Sequence, residues 1–124
     1  MNKIIDIMAR GLLASIFLLS GIGKITAYAG TQGYMESHGI PGTLLPMVIT
    51  LEIVGALLLI VGWKARYSAL VLAAFTIASA FVFHFDFGNT TQYYMFMKNL
   101  AIAGGLLLIY SHGVSSLSLE AESH

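Results

Sequence analysis

Apolar residues come in four long blocks separated by short polar breaks, and that spacing predicts the architecture. The blocks run about 4–25, 44–63, 67–85 and 95–110. Crossing about 30 Å of hydrocarbon takes roughly 20 residues at 1.5 Å each, so the pattern predicts four transmembrane helices, the last one short. The breaks agree. "SHGIPGTLLP" carries two glycines and both prolines and marks a loop before the second span. "GWKAR" is too short for anything but a tight antiparallel hairpin, and "DFGNTTQ" separates spans three and four.

Composition sharpens this reading. Hydrophobic residues make up 57% and charged residues 10% of the 124 residues, against about 25% charged in an average soluble domain. The fold class is all-α, an integral membrane four-helix transmembrane bundle forming a single domain over 1–112. Residues 113–124, which bear serine and glutamate, are expected to form a mobile cytoplasmic tail. Six basic and six acidic residues cancel, so nothing points to nucleic acid, and membrane lipid is the expected surroundings. The chain has no cysteine, which excludes thiol redox chemistry and thiolate metal sites of its own.

Basic residues set the expected orientation. Lys3, Arg10, Lys64 and Arg66 gather at one end of the bundle, and Lys24 and Lys98 at the other. Both termini are therefore expected to be cytoplasmic. Lys3 and Arg10 ahead of an apolar run also fit a secretory signal ending near Ala27–Ala29. That run is long for a signal, and the retained helix is favoured. The pairs Gly11/Ser15, Ala74/Ala78 and Ala101/Gly105, each four apart, are expected to bring backbones together.

Charged groups inside the spans are costly and demand an explanation. Glu52 lies in span two, Lys98 and Asn99 in the first part of span four, and Lys24 and His84 at the outer ends of spans one and three. All five fall in the same half of the bundle. Lys98 is the expected counter-ion of Glu52, with Lys24 either a second one or reaching out to the headgroups. Asn99 can orient a partner or ligand through its amide. His84 reads more readily as an interfacial histidine than as a ligand, and no metal site is expected. Asp6 and Arg10, one helical turn apart, form a cytoplasmic-side anchor; the alternative is a site for an anionic lipid or a partner protein. Tyr28, Tyr34, Phe81, Phe83, Phe85, Phe87, Tyr93, Tyr94 and Phe96 read as an interfacial belt, or as walls of a flat pocket above Glu52. Four helices of this length leave little room for a cavity, so an internal pocket is expected to need a homodimer.

In order and spacing the chain resembles the DoxX family of small four-span bacterial inner-membrane proteins. The resemblance rests on Arg10, "FLLSGIGKI" at Phe17–Ile25, "YMESHGIPG" at Tyr34–Gly42, "LEIVGALLLIVGW" at Leu51–Trp63, "FVFHF" at Phe81–Phe85 and "MKNLAIAGGLLLI" at Met97–Ile109. It implies recurring polar positions at Arg10, Lys24, Glu52, Lys98 and Asn99. It also implies an association with redox metabolism, since the family name is tied to membrane subunits of thiosulfate:quinone oxidoreductases. The expected function is a non-catalytic membrane subunit or small-ligand binder, with a quinone as candidate ligand and an oxidoreductase as candidate partner protein. Two alternatives stand beside it. One is a proton-coupled small transporter acting as a dimer, although small multidrug exporters keep their essential carboxylate in span one. The other is a structural or assembly protein in which the ion pair only fixes helix register. No catalytic residues are assigned, because no nucleophile–base pair or nucleotide fingerprint is visible.

Overall fold

The computed structural model describes residues 3–112; the expected tail, 113–124, lies outside them. Helix α1 spans Lys3–Thr26, α2 Tyr28–Ser37, α3 Leu45–Val61, α4 Ala65–Phe83 and α5 Thr90–His112, with a 3₁₀ turn at Gly42–Leu44. Four segments are long and apolar enough to cross a membrane: Ile4–Thr26, Gly42–Val61, Ala65–Phe83 and Thr90–His112. The molecule is the expected four-helix transmembrane bundle, with α2 as an additional short helix.

Two boundaries differ from the hydropathy reading, each for a local reason. Span four begins at Thr90 instead of near Met95, because Asn89 caps it: its Oδ1 accepts the Gln92 backbone N–H at 3.1 Å. The polar run "TTQ" thus lies inside the helix and adds its first turn. The chain after α1 does not run on as a loop. It bends at Ala27 (φ −116°, ψ 45°) and resumes as α2.

The α3–α4 hairpin is tight because Gly62 and Lys64 both take left-handed backbone angles, φ 77° and φ 51°. The Gly62 N–H returns to Leu58 O at 2.9 Å and closes α3. Helix α1 packs along α3 and α5 packs along α4, while α1 and α5 touch only lightly. Alanines fill the centre, among them Ala14, Ala56, Ala69, Ala73 and Ala103, all essentially inaccessible. Without a hydrophobic force between helices in lipid, such small side chains let dispersion contacts accumulate.

Of the small residues picked out by spacing only Gly105 meets another helix closely, its Cβ position lying 3.4 Å from the Leu13 side chain of α1. Gly11, Ser15, Ala74, Ala78 and Ala101 are all exposed. The tighter approaches occur elsewhere. A Cβ on Gly21 would stand 2.6 Å from Ile53 Cγ1, and one on Gly55 would stand 3.1 Å from three atoms of the Leu72 side chain. Spacing alone cannot tell which face of a helix meets protein and which meets lipid.

At the end of the bundle holding Arg10, long side chains tie helices through backbone carbonyls. Arg10 is 2% exposed. Its Nη1 donates to Leu59 O at 3.1 Å and to Ile60 O at 3.2 Å, and its Nε lies 3.6 Å from Asp6 Oδ2. Those carbonyls belong to the last turn of α3, where intrahelical partners run out. A buried cation there satisfies them and complements the negative end of the helix dipole. Across the bundle, Arg66 Nε donates to Tyr110 O at 2.8 Å.

Candidate functional site

At the opposite end the polar side chains converge on a cavity. Glu52 sits in the second turn and a half of α3 and is 3% exposed. It faces α1 across the Gly21 approach: a Cβ on Gly21 would lie 3.6 Å from Glu52 Cβ. Its Oε1 lies 2.8 Å from Lys24 Nζ. That oxygen is buried and makes no well-aligned hydrogen bond among the described residues, so the contact is short but angularly poor, and charge attraction holds it. The ammonium spends a directed bond on Ser20 Oγ, 2.6 Å away and one turn back along α1.

This corrects the expected pairing. The counter-ion of Glu52 is Lys24, not Lys98. Lys98 is exposed and does not line the cavity. The two lysines stand at similar depths, but α3 has α1 as its close neighbour instead of α5. Asn99, one residue further along α5, does reach the site. Its Nδ2 donates to Thr76 O at 3.3 Å, and the Thr76 hydroxyl donates back to Leu72 O at 2.7 Å. His84, which caps the end of α4, donates through Nδ1 to Gln92 Oε1 at 2.7 Å, fixing the ring against the start of α5.

Lys24, Glu52, Thr76, His84 and Asn99 all line one cavity of about 450 Å³. Phe17, Val48, Phe75 and Ile102 supply much of its apolar wall, and Thr31, Tyr34, Met35 and Ile40 close it from the α2 side. A volume in this range suits a small organic molecule. Its lining comes from a single chain, so the pocket expected only at a dimer interface is present within one copy. Helix α2 lies over it as a roof, secured by aromatic contacts: Tyr34 stacks on Phe83 at 5.3 Å between ring centroids, and His38 meets the same ring edge-on at 5.1 Å.

The other aromatics divide as their exposure dictates. Phe81, Phe85 and Phe87 are more than half exposed and gather around Phe96, at 5.2, 5.9 and 5.1 Å. They form a collar at the bundle end. Tyr34 and Phe83 alone of the aromatics named from the sequence line the cavity. Ser20, Thr76 and Gln92 escaped the sequence reading. Ser20 carried a signal, being four residues before Lys24 on the same helical face; Thr76 and Gln92 carried none.

A bundle of four apolar helices, with a carboxylate–ammonium pair buried beneath a largely apolar cavity, defines a small polytopic membrane protein with a ligand-sized chamber in one half. The chain belongs to the DoxX family, whose model matches residues 5–85. That stretch holds Arg10, Lys24, Glu52 and His84 and stops short of α5. The chain is 46% identical over 123 residues to the inner membrane protein YqjF of Escherichia coli (strain K12), covering 97% of this chain and 95% of that one. It is 29% identical over 126 residues to the inner membrane protein YphA of the same organism, covering 96% and 90%. No solved structure matches the chain.

Proposed function

We propose that the protein is a non-catalytic inner-membrane subunit or carrier that holds a small molecule with an anionic or quinone-like head in the cavity above Glu52. The observation that carries this reading is the position of the Glu52–Lys24 pair: two charges are kept in an apolar setting and aimed at a partly enclosed cavity of about 450 Å³. A pair that served only to set helix register could be covered by packed side chains. Glu52 and Lys24 orient the head by charge, Asn99 offers an amide whose carbonyl oxygen has no hydrogen bond among the described residues, and the aromatic walls take the apolar body. A link to redox metabolism and to an oxidoreductase partner is part of this proposal and rests on family-level analogy alone.

The inner membrane is supported by the names of both relatives. The end of the bundle with Arg10, Lys64 and Arg66 faces the cytoplasm on the positive-inside rule, which directs the cavity outward. The decisive experiment is mass spectrometry of small molecules that co-purify in mild detergent, comparing wild type with Glu52→Gln after both pass a thermal-unfolding check. A molecule retained by wild type and lost from the folded variant supports the reading. Identical, lipid-only spectra from two folded proteins overturn it.

A further inference from the structure

The seam between α1 and α5 closes in one half of the bundle and opens in the other. It closes where Leu13 meets Gly105: a Cβ on Gly105 would touch the Leu13 side chain at 3.4 Å. Moving towards the cavity, the same stripe of α1 continues through Ile16, Ser20 and Lys24, three, seven and eleven residues on from Leu13. The facing stripe of α5 continues back through Ile102, Lys98 and Met95. Ile16, Ser20, Lys24, Met95 and Ile102 all line the cavity, yet Ile16 is 47% and Met95 40% exposed. The cavity is only partly enclosed and α1 and α5 touch only lightly, so accessible wall residues on both helices mark the gap between them as its aperture. This aperture runs between two membrane-spanning helices, so it faces the bilayer instead of water.

Lys98 gains a reason in this arrangement. It lies seven residues before Gly105, two turns along the strip of α5 that turns towards α1. Its neighbours three before and four after, Met95 and Ile102, line the cavity while Lys98 itself is exposed. It makes no ion pair or hydrogen bond among the described residues. Lys24 and Glu52 cancel in charge, so Lys98 leaves the aperture with one positive charge uncompensated. Holding an ammonium at membrane depth beside an apolar opening is costly unless an anion meets it.

We infer that the α1–α5 seam is a lateral portal through which the cavity takes a single-chain, singly anionic amphiphile directly from the bilayer. Its head lies between Lys98 and the Lys24–Glu52 pair, and its tail trails out past Ile16 and Ile102. The volume admits one chain's head and upper tail, not two chains. A fatty-acid carboxylate and the phosphate of a lysophospholipid share this chemistry, and the test separates them. The inference rests on the cavity being a ligand site, and it decides for an anionic head over a neutral one.

The test is photolabelling of the full chain in phosphatidylcholine nanodiscs with a diazirine-bearing fatty acid, alongside the matching fatty alcohol, with labelled residues mapped by peptide mass spectrometry. The acid is expected to label Ile16–Ser20 and Met95–Ile102, and the alcohol at least fivefold less. Lys98→Gln should reduce acid labelling at those residues by about tenfold without changing alcohol labelling, and Lys98→Arg should restore it. Lys98 is exposed and makes no ion pair or hydrogen bond among the described residues, so its variants should fold, which a thermal-unfolding comparison with wild type checks. Competition by unlabelled oleate, but not by lysophosphatidylglycerol, assigns a carboxylate; the converse assigns a phosphate. Equal labelling by acid and alcohol, or label spread evenly onto outward residues such as Val54 and Leu70, overturns the inference. A parallel retention assay with decylubiquinone keeps the two readings apart. Quinone held through Glu52 without seam labelling by the acid leaves the cavity proposal standing and refutes this one. No binding of either probe refutes both.

Discussion

Replacing Arg10 with methionine tests the account of the bundle's closed end. The change keeps an unbranched apolar stem and removes the guanidinium, which bridges from α1 to the carbonyls of Leu59 and Ile60. In soluble proteins, hydrogen bonds from charged donors contribute about 1.5–3 kcal/mol each. Between membrane helices the measured average is nearer 0.6 kcal/mol, because the unfolded reference also finds partners. Two such bonds at the low end, together with an Asp6 carboxylate left beside an apolar chain, give a loss of about 1–3 kcal/mol. That corresponds to roughly a 5- to 150-fold shift in the unfolding equilibrium. The assay is reversible unfolding in mixed micelles of dodecyl maltoside and sodium dodecyl sulfate, followed by circular dichroism. Arg10→Met with Asp6→Asn should recover part of the loss, since the stranded carboxylate is then gone, and Arg10→Lys should fall between wild type and methionine because a point charge cannot fork across two carbonyls. An Arg10→Met protein that unfolds with wild-type midpoint and slope refutes the reasoning and returns Arg10 to the role of a lipid or partner site.

Other consequences of the geometry can be checked with the same unfolding assay. Removing one member of the Lys24–Glu52 pair should cost about 1–3 kcal/mol, below the range for fully buried pairs because Lys24 is a quarter exposed; replacing both, as Lys24→Met with Glu52→Leu, should restore most of the stability while abolishing ligand retention. Gly21→Ala should destabilise by about 1–3 kcal/mol, because its methyl group would meet Ile53 at 2.6 Å. Gly23→Ala has open space around it and should be neutral or stabilise slightly through helix propensity; equal effects from the two glycines would contradict the α1–α3 packing. Phe83→Ala removes the ring shared by Tyr34 and His38, so amide hydrogen exchange should speed up across α2 and leave α3 and α4 unaffected.

The spans were legible because hydropathy measures depth, and depth is what a bilayer selects. Glu52, Lys24, His84 and Asn99 could be placed in one half of the bundle by counting residues along each helix. What counting cannot supply is rotation about the helix axis and the choice of neighbour. Both errors of assignment come from there. Lys98 sits at a plausible depth for pairing with Glu52 but on a helix that does not pack closely against α3, and five of the six small residues picked out by spacing lie on faces turned outward. Helix α2 was hidden for a different reason: "YAGTQGYMES" has neither the length nor the apolar content of a span, and two glycines make it a poor helix by propensity. It is held in place by contacts with Phe83 and with the turn before α3, where Gln32 Nε2 donates to Gly42 O at 3.1 Å. Such contacts are visible only once the bundle exists.

The two ends of this bundle are fastened by different kinds of attachment. One is fixed by arginines gripping main-chain carbonyls, which every residue supplies whatever its side chain. The other is closed largely by one side chain on another: a lysine on a glutamate, a histidine on a glutamine, a tyrosine on a phenylalanine, with Gln32 and Asn99 each adding one bond to a main-chain carbonyl. Substitutions therefore carry unequal weight along the molecule's length. The first end can absorb many changes in neighbouring residues and keep its grip, because the acceptors are supplied by the backbone. The second is rewritten by a handful of replacements, so the lining of the cavity can change while the helices and their closed end stay as they are.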